Sequence, residues 1–192
     1  NDDILPYSDM WRFCLLKQNP EAIWIDADMF LLDRVPTTDI IISSEHTFQS
    51  GAFKSKLNYI SNIGVLKFNN NDGQIFLREV IEKIKIKQYA SFCDNMKIFR
   101  NILKKKCYEN VNKYVYQPDA FCGVPWWCAK EIYDNDEEFP TKYNVECKSK
   151  DWLLKNAIAI HLWNNFTYNK NKIDFYNLSD NCFYNKLLNF YK

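Results

Sequence analysis

Two carboxylates that stand between apolar runs are the residues of this chain best suited to chemistry. Asp26 and Asp28 follow the apolar run 22–25 and precede a second one at 29–32. Alternate side chains of an extended chain lie on the same side, so both carboxylates can face one point in space. Buried carboxylates are costly unless a cation compensates them, and Mg²⁺ and Mn²⁺ prefer oxygen ligands. The pattern predicts a divalent-metal site or, equally well, a strand end whose aspartates cap the next turn.

One of the two histidines supplies a third candidate ligand. His161 ends an apolar run near the end of the chain. A lone histidine at such a position is usually a core residue whose hydrogen bonds are satisfied. A sheet that places Asp26 and Asp28 at one strand end can also place His161 beside them, which favours an Asp/Asp/His metal site. The other histidine, His46, stands in a polar segment and is expected at the surface.

Strand and helix patterns alternate along the chain. The first helix is predicted to begin at the N-cap Ser8 and to bury Trp11, Cys14 and Leu15. The predicted strands are 22–25, 39–45, 59–68, 111–116 and 156–163, and the predicted helices are 8–18, 74–88, 94–106 and 183–191. This alternation predicts an α/β fold with a mostly parallel sheet flanked by helices, in one domain over residues 1–192.

Composition excludes several classes of function. The 192 residues are 47% hydrophobic with a formal net charge of +1, which suits one domain with a sizeable core. The near-neutral charge gives no reason to expect a nucleic acid or a membrane surface as partner. No apolar run approaches the roughly 18–20 residues that a membrane-spanning helix needs. Because 17% of the residues are aromatic, we expect some rings to line a pocket that stacks on a base or a sugar.

The seven cysteines are irregularly spaced and contain no Cys-x-x-Cys pair, so a zinc site is not expected. Reduced thiols in a reducing compartment, such as the cytoplasm, are the favoured interpretation. One or two disulfides in the Golgi or another secretory lumen remain the alternative. Because the first residue is Asn1 rather than Met, we expect the chain to be a piece of a longer one.

Several segments, in the same order, resemble glycosyltransferases of GT-A fold that use sugar nucleotides and carry a DXD motif. The closest likeness is to α-1,4-glycosyltransferases and to capsular-type or mannosyl-type transferases. The matching segments are Tyr7-Ser8-Asp9-Met10-Trp11-Arg12, Trp24-Ile25-Asp26-Ala27-Asp28, the strand 60–66, the segment 118–126 that ends in Pro-Trp, and Ala159-Ile160-His161-Leu162-Trp163-Asn164. The likeness implies a GT-A-like sheet that lacks part of the N-terminal half, where this fold holds the nucleotide base.

The resemblance also implies roles for the matched residues. Asp26, Asp28 and His161 would hold Mn²⁺ or Mg²⁺ against the diphosphate of a UDP- or GDP-sugar, and the metal would neutralise the leaving nucleoside diphosphate. Asn62 would lie near the transferred sugar. The residues that would contact the donor, or line the donor or acceptor side, are Ser8, Asp9, Arg12, Trp126, Trp127 and Trp163. Most relatives retain the anomeric configuration, so we expect retention during transfer to a glycan or another hydroxyl acceptor.

The chain also departs from the family pattern. Glu21-Ala22 stands where the family usually has Gly-Gly, and Cys93-Asp94-Asn95 stands where it usually has Gly-Pro. The second change makes Asp94 a catalytic candidate beside Asn62.

Two other functions compete with sugar transfer. A haloacid-dehalogenase-type phosphatase also places Asp-x-Asp after an apolar strand, but it expects Thr or Val where this chain has Phe30. It also expects a later Gly-Asp-x-x-x-Asp, which does not occur. A non-catalytic relative that binds a sugar or a partner is the other alternative, although intact metal ligands argue against it.

Overall fold

The computed structural model describes residues 5–47, 59–87, 92–141, 145–164, 167, 172–174 and 177–191. The chain divides into two compact units. The first comprises Asn1–Ile25, Pro36–Ser43 and Ser61–Tyr116, and the second comprises Asp26–Val35, Ser44–Ile60 and Gln117–Lys192. The single domain over residues 1–192 stays a prediction.

Within the described residues, strands and helices are grouped and do not alternate as predicted: four strands follow the first helix, and five helices follow the fourth strand. In chain order they are α1 (Leu5–Gln18), β1 (Trp24–Ile25), β2 (Met29–Leu31), β3 (Ile40–His46), β4 (Tyr59–Phe68), α2 (Asn71–Ile86), α3 (Phe92–Leu103), α4 (Glu109–Asn112), α5 (Pro118–Phe121), α6 (Lys150–Asn156), β5 (Ala159–His161) and α7 (Phe183–Leu188). Turns of 3₁₀ helix lie at Lys106–Tyr108, Trp126–Cys128 and Lys130–Tyr133.

The first unit contains helices α1 to α4 and most of a small three-stranded sheet. The sheet has the order β1-β4-β3, and β1 runs antiparallel to β4 with Trp24 opposite Leu66. Helix α2 begins after Asn70, whose side chain accepts a hydrogen bond from the backbone N–H of Gly73 at 2.9 Å. Its apolar residues recur at helical spacing and therefore face the core. The largest buried rings of this core are Phe13, Phe68, Phe76 and Phe99.

The second unit is built on the pairing of β2 with β5. The two strands are antiparallel, with Met29 opposite His161 and Leu31 opposite Ala159. The ladder continues beyond the strands, because the backbone N–H of Leu32 donates to the carbonyl of Ile158 at 2.8 Å. A separate apolar cluster fills this unit, and its fully buried members include Val124, Cys128, Ile132, Leu153, Ile160 and Leu187.

The predicted fold class is confirmed at the level of mixed α/β. The pairs β1–β4 and β2–β5 are antiparallel, and Ile42 and Val115 form an isolated parallel bridge. The mostly parallel sheet therefore stays a prediction. Within the described ranges, no helix is long and apolar enough to cross a membrane.

The prediction for the first helix was wrong in two respects. Helix α1 already includes Leu5, so Ser8 lies inside it and is not its N-cap. Trp11, expected in the core, is 58% exposed, and the buried side of the helix carries Asp9 and Arg12 beside Phe13. An ion pair with a 3.6 Å separation joins these two charged side chains, which lets them be buried together.

Several other boundaries also differ from the prediction. Helix α3 begins at Phe92, so Asp94 lies in its first turn and does not cap it. The predicted strand 111–116 is helix α4 followed by the single bridge at Val115. Of the predicted strand 156–163, Ala159–His161 forms a strand, and Asn156 is the last residue of α6. The predicted strand 59–68 is confirmed.

The ion pair of Glu79 predicts a pH-dependent contribution to stability. Lys105 and the hydroxyl of Tyr108, at 2.7 Å, both donate hydrogen bonds to this carboxylate, and they hold the pKa of Glu79 below its ordinary 4.5. Because the folded-state pKa is lowered, the stabilisation is complete above pH 4.5 and is lost as the pH falls through the lowered pKa. We expect Glu79→Gln to lower the free energy of unfolding at pH 7 by up to about 1 kcal/mol, because solvent screens an exposed ion pair. Urea unfolding across pH measures the effect.

The matched control is Glu82→Gln, an exposed glutamate on the same helix. This variant should unfold like the parent protein at every pH. If Glu79→Gln and the parent keep a constant difference from pH 7 to strongly acidic solution, the ion pair is not its source.

Candidate metal centre

Three potential metal ligands converge in the second unit. Asp26, Asp28 and His161 each offer one ligand atom, and these atoms all lie within 4.8 Å of one another. The two aspartates are half-buried and the histidine is buried. Among the residues that the structure describes, this is the only group of its kind. The structure therefore brings together the three residues that the sequence singled out.

A tight turn, not an extended strand, makes the two carboxylates converge. Strand β1 ends at Ile25, the backbone N–H of Met29 donates to the carbonyl of Asp26 at 3.1 Å, and β2 begins at Met29. The expectation that the aspartates occupy alternate positions of one strand was thus wrong. The backbone N–H of Leu162 donates to the carbonyl of Asp28 at 2.8 Å, which fixes this turn to the end of β5.

The side chain of Asp28 is held at both oxygens. Its Oδ1 lies 3.1 Å from Nε2 of His161, and its Oδ2 accepts a hydrogen bond from the backbone N–H of Asn164 at 3.0 Å. Burial raises the pKa of Asp28, but the hydrogen bond and charge of His161 and the Asn164 N–H lower it more, so the net pKa lies below 3.8. Asp28 is therefore ionised at neutral pH, as a metal ligand must be.

The ring of His161 is enclosed by two neighbours that the sequence did not connect with it. Trp163 stacks on its face with 3.8 Å between ring centroids. Trp163 in turn donates from Nε1 to the carbonyl of Val124 at 2.7 Å, and its backbone is left-handed with φ of 54°. Such a backbone costs about 1–3 kcal/mol and persists only where its surroundings hold it.

The second neighbour of the ring is Cys122. Its Sγ lies 3.8 Å from Nδ1 of His161, and the residue is fully buried. Burial raises the pKa of the Cys122 thiol, and the negative charges of Glu45, Asp26 and Asp28 raise it further. Cys122 therefore stays a neutral thiol. No spacing signal in the sequence marks it, because its partner is 39 positions away.

The candidate donor-binding residues at the start of the chain belong to the first unit. Asp9 is 1% exposed, and Asn95 donates to its Oδ2 at 3.5 Å. Arg12 donates from Nη1 to the carbonyl of Ile63 at 2.7 Å, and its guanidinium lies 4.8 Å from the ring centroid of Trp24. Both charged side chains thus have partners within the first unit. Ser8 is half-buried. Donor contacts by these residues stay a prediction.

The catalytic candidates Asn62 and Asp94 also belong to the first unit. Asn62 is half-buried, and its Oδ1 accepts a hydrogen bond from the backbone N–H of Gly64 at 2.6 Å. The side chain of Asp94 is 41% exposed and lies 3.6 Å from Nζ of Lys97. Their catalytic roles rest on the resemblance alone.

The aromatic candidates belong to the second unit. Trp126 and Trp127 are half-buried and make an edge-to-face contact with 5.5 Å between ring centroids. Trp163 is buried against His161, so its observed contact is with a candidate ligand.

The surface position expected for His46 was wrong. This residue ends β3, its side chain is 12% exposed, and its Nε2 lies 3.7 Å from Asp119.

The fold is mixed α/β, and its candidate site is a cluster of two aspartates and one histidine. Residues 85–191, more than half of the chain, match the family described as alpha 1,4-glycosyltransferase conserved region. The chain belongs to this family. The resemblance to glycosyltransferases is thereby confirmed, and the phosphatase alternative has no support. No curated protein and no solved structure matches the chain.

The hydrogen bond of Trp163 predicts a graded loss of stability. Trp163→Phe keeps an aromatic ring over His161 but loses the bond to Val124, and we expect a loss of about 1 kcal/mol in the free energy of unfolding. Trp163→Ala also loses the buried ring and should cost about 3–5 kcal/mol. Urea unfolding measures both.

Trp152→Phe is the matched control, because Trp152 is 37% exposed on α6. It should leave the unfolding free energy within about 0.5 kcal/mol of the parent value. Equal losses from Trp163→Phe and Trp152→Phe would argue against a stabilising role for the Val124 bond.

Proposed function

We propose that this chain is a metal-dependent glycosyltransferase that moves a sugar from a nucleotide-sugar donor to a hydroxyl of a glycan or another acceptor. Membership of a glycosyltransferase family supports the sugar-transfer chemistry. The observation that carries the metal dependence is the convergence of Asp26, Asp28 and His161.

The ligand set fits a small divalent cation. Adjacent ligands of an octahedral ion at about 2.2 Å lie about 3.1 Å apart, which is the separation between Asp28 Oδ1 and His161 Nε2. Carboxylate oxygens suit Mg²⁺ and Mn²⁺ alike, and the added imidazole nitrogen favours Mn²⁺. When bound, the ion supplies charge neutralisation for the departing nucleoside diphosphate.

The chain's own residues prepare the centre before any ion arrives. Asp28 is ionised and is tethered through Oδ2, so Oδ1 keeps a fixed direction. Asp26 brings a second carboxylate from the same turn. His161 is enclosed by its neighbours, which limits the rotation of its ring. Because this geometry is set by the fold, little reorganisation is needed when charge develops on the donor.

The finer assignments extend this proposal. The donor is a UDP- or GDP-sugar, and the anomeric configuration is retained. Ser8, Asp9 and Arg12 contact the donor sugar or its phosphate, for which the planar fork of arginine is suited. Asn62 lies near the transferred sugar, and Asp94 is a further catalytic candidate. Trp126 and Trp127 line the donor or acceptor side, together with Trp163.

The proposal predicts metal-dependent turnover that the three ligands control. The protein should release nucleoside diphosphate from one of a panel of UDP- and GDP-sugars. EDTA should abolish the release and Mn²⁺ should restore it. Asp28→Asn and His161→Gln should lower kcat/KM at least about 100-fold, since a metal supplies several kcal/mol of transition-state stabilisation. Coupled detection of the released diphosphate gives the rates.

Asp33→Asn is the matched control, because this aspartate is exposed a few positions after the cluster and is not part of it. It should retain parental rates. If no donor is turned over and no nucleotide binds in a metal-dependent way, the chain is instead a non-catalytic relative that binds a sugar or a partner.

A further inference from the structure

The ring of His161 is fixed through both of its nitrogens. Nε2 lies 3.1 Å from Oδ1 of Asp28, and Nδ1 lies 3.8 Å from Sγ of Cys122. The carboxylate belongs to the candidate metal centre, whereas the thiol has no part in it. Cys122 is completely buried.

The position of the hydrogen on the imidazole ring decides whether each neighbour must donate or accept a hydrogen bond. A neutral ring carries one N–H and one lone pair. An ionised carboxylate only accepts hydrogen bonds, so Nε2 carries the hydrogen while it faces Asp28. Nδ1 then holds the lone pair, and Cys122 donates its S–H to it. When Nε2 gives its lone pair to a cation, the hydrogen must lie on Nδ1, and Cys122 must accept it.

A thiol suits both arrangements because it donates and accepts weak hydrogen bonds. A carboxylate or a carbonyl oxygen at this place would match only the metal-bound arrangement, and a methyl group would match neither. In the change from one to the other, the Nε2 proton leaves to solvent and Nδ1 takes up a proton from solvent. The thiol only rotates its S–H, so its covalent bonds are unchanged.

We propose that Cys122 is a positioning residue that orients His161 for metal binding. This inference rests on the proposed metal-dependent function. The backbone around Cys122 supports it, because the Cys122 N–H donates to the carbonyl of Pro118 at 2.7 Å and closes the last turn of α5. The carbonyl of Ala120 in the same helix accepts from the N–H of Ile158 at 2.8 Å, just before β5. The helix that ends just before Cys122 is thus tied to the segment that leads into the histidine strand.

The first test is made without metal. The chain contains two histidines, so ¹⁵N labelling of imidazole gives a simple spectrum. When the ring is neutral, His161 should show a protonated Nε2 and a hydrogen-bonded, unprotonated Nδ1. Cys122→Ala should shift the Nδ1 resonance toward that of a free lone pair, and Cys122→Ser should keep it close to the parent position, since a hydroxyl also donates and accepts. An unchanged Nδ1 resonance in Cys122→Ala overturns the contact.

The second test measures Mn²⁺ binding from the electron-spin-resonance signal of the free ion. Loss of a hydrogen-bonding partner behind a metal-ligating histidine typically weakens affinity 10–100-fold, so Cys122→Ala should raise the Kd for Mn²⁺ at least about tenfold. Cys122→Ser should restore it to within about threefold, because the hydroxyl replaces both hydrogen-bonding roles.

Cys182→Ala is the matched control for packing. Cys182 is also fully buried in the second unit, at the start of α7, and its truncation removes the same atom from a core. It should lower thermal stability as Cys122→Ala does, while leaving Mn²⁺ affinity and the His161 resonances unchanged. If the parent protein binds no Mn²⁺, the proposed function fails. If the parent binds Mn²⁺ and Cys122→Ala binds it equally well, only the positioning role fails.

Discussion

The contact between Asp28 and His161 joins residues 133 positions apart, and the candidate metal centre depends on it. It exists because β2 and β5 pair with Met29 opposite His161. Side chains alternate between the two faces of a strand, so a slip of one residue would turn the imidazole to the opposite face. The hydrogen bonds of Leu162 and Asn164 to Asp28 continue the pairing past the end of the strand and hold that register.

Packing alone does not explain why two aspartates lie close together, because their charges make the arrangement costly. Asp26 and Asp28 bring two carboxylates to one half-buried place, where like charges and desolvation both oppose ionisation. The lowered pKa of Asp28 shows that hydrogen bonds and the imidazole outweigh these costs for one of the two. A fold under pressure for stability alone gains little from a half-buried acidic pair, and sites that break local rules in this way are often functional.

Features that depend on residues close together in the sequence could be predicted, and features that depend on distant contacts could not. Strand 59–68 and the existence of helices α2 and α3 were predictable, because local periodicity encodes them. Helix α1 was misjudged, since its apolar residues do not select one face and a buried ion pair decides its orientation. The three converging residues were identified from their chemistry, although the turn that unites the aspartates was not. Cys122 was missed because its contact with the ring is made only by the tertiary fold.

The family match and the geometry cover different parts of the centre. The match spans residues 85–191 and therefore includes His161 but neither aspartate. The aspartates enter through structure, because β2 pairs with β5 inside the second unit. A sheet register is an all-or-none constraint, so the segment that carries Asp26 and Asp28 is placed as firmly as the histidine strand itself. The pairing of β2 with β5 thus joins a segment inside the matched region to one outside it, and it brings the three candidate ligands together.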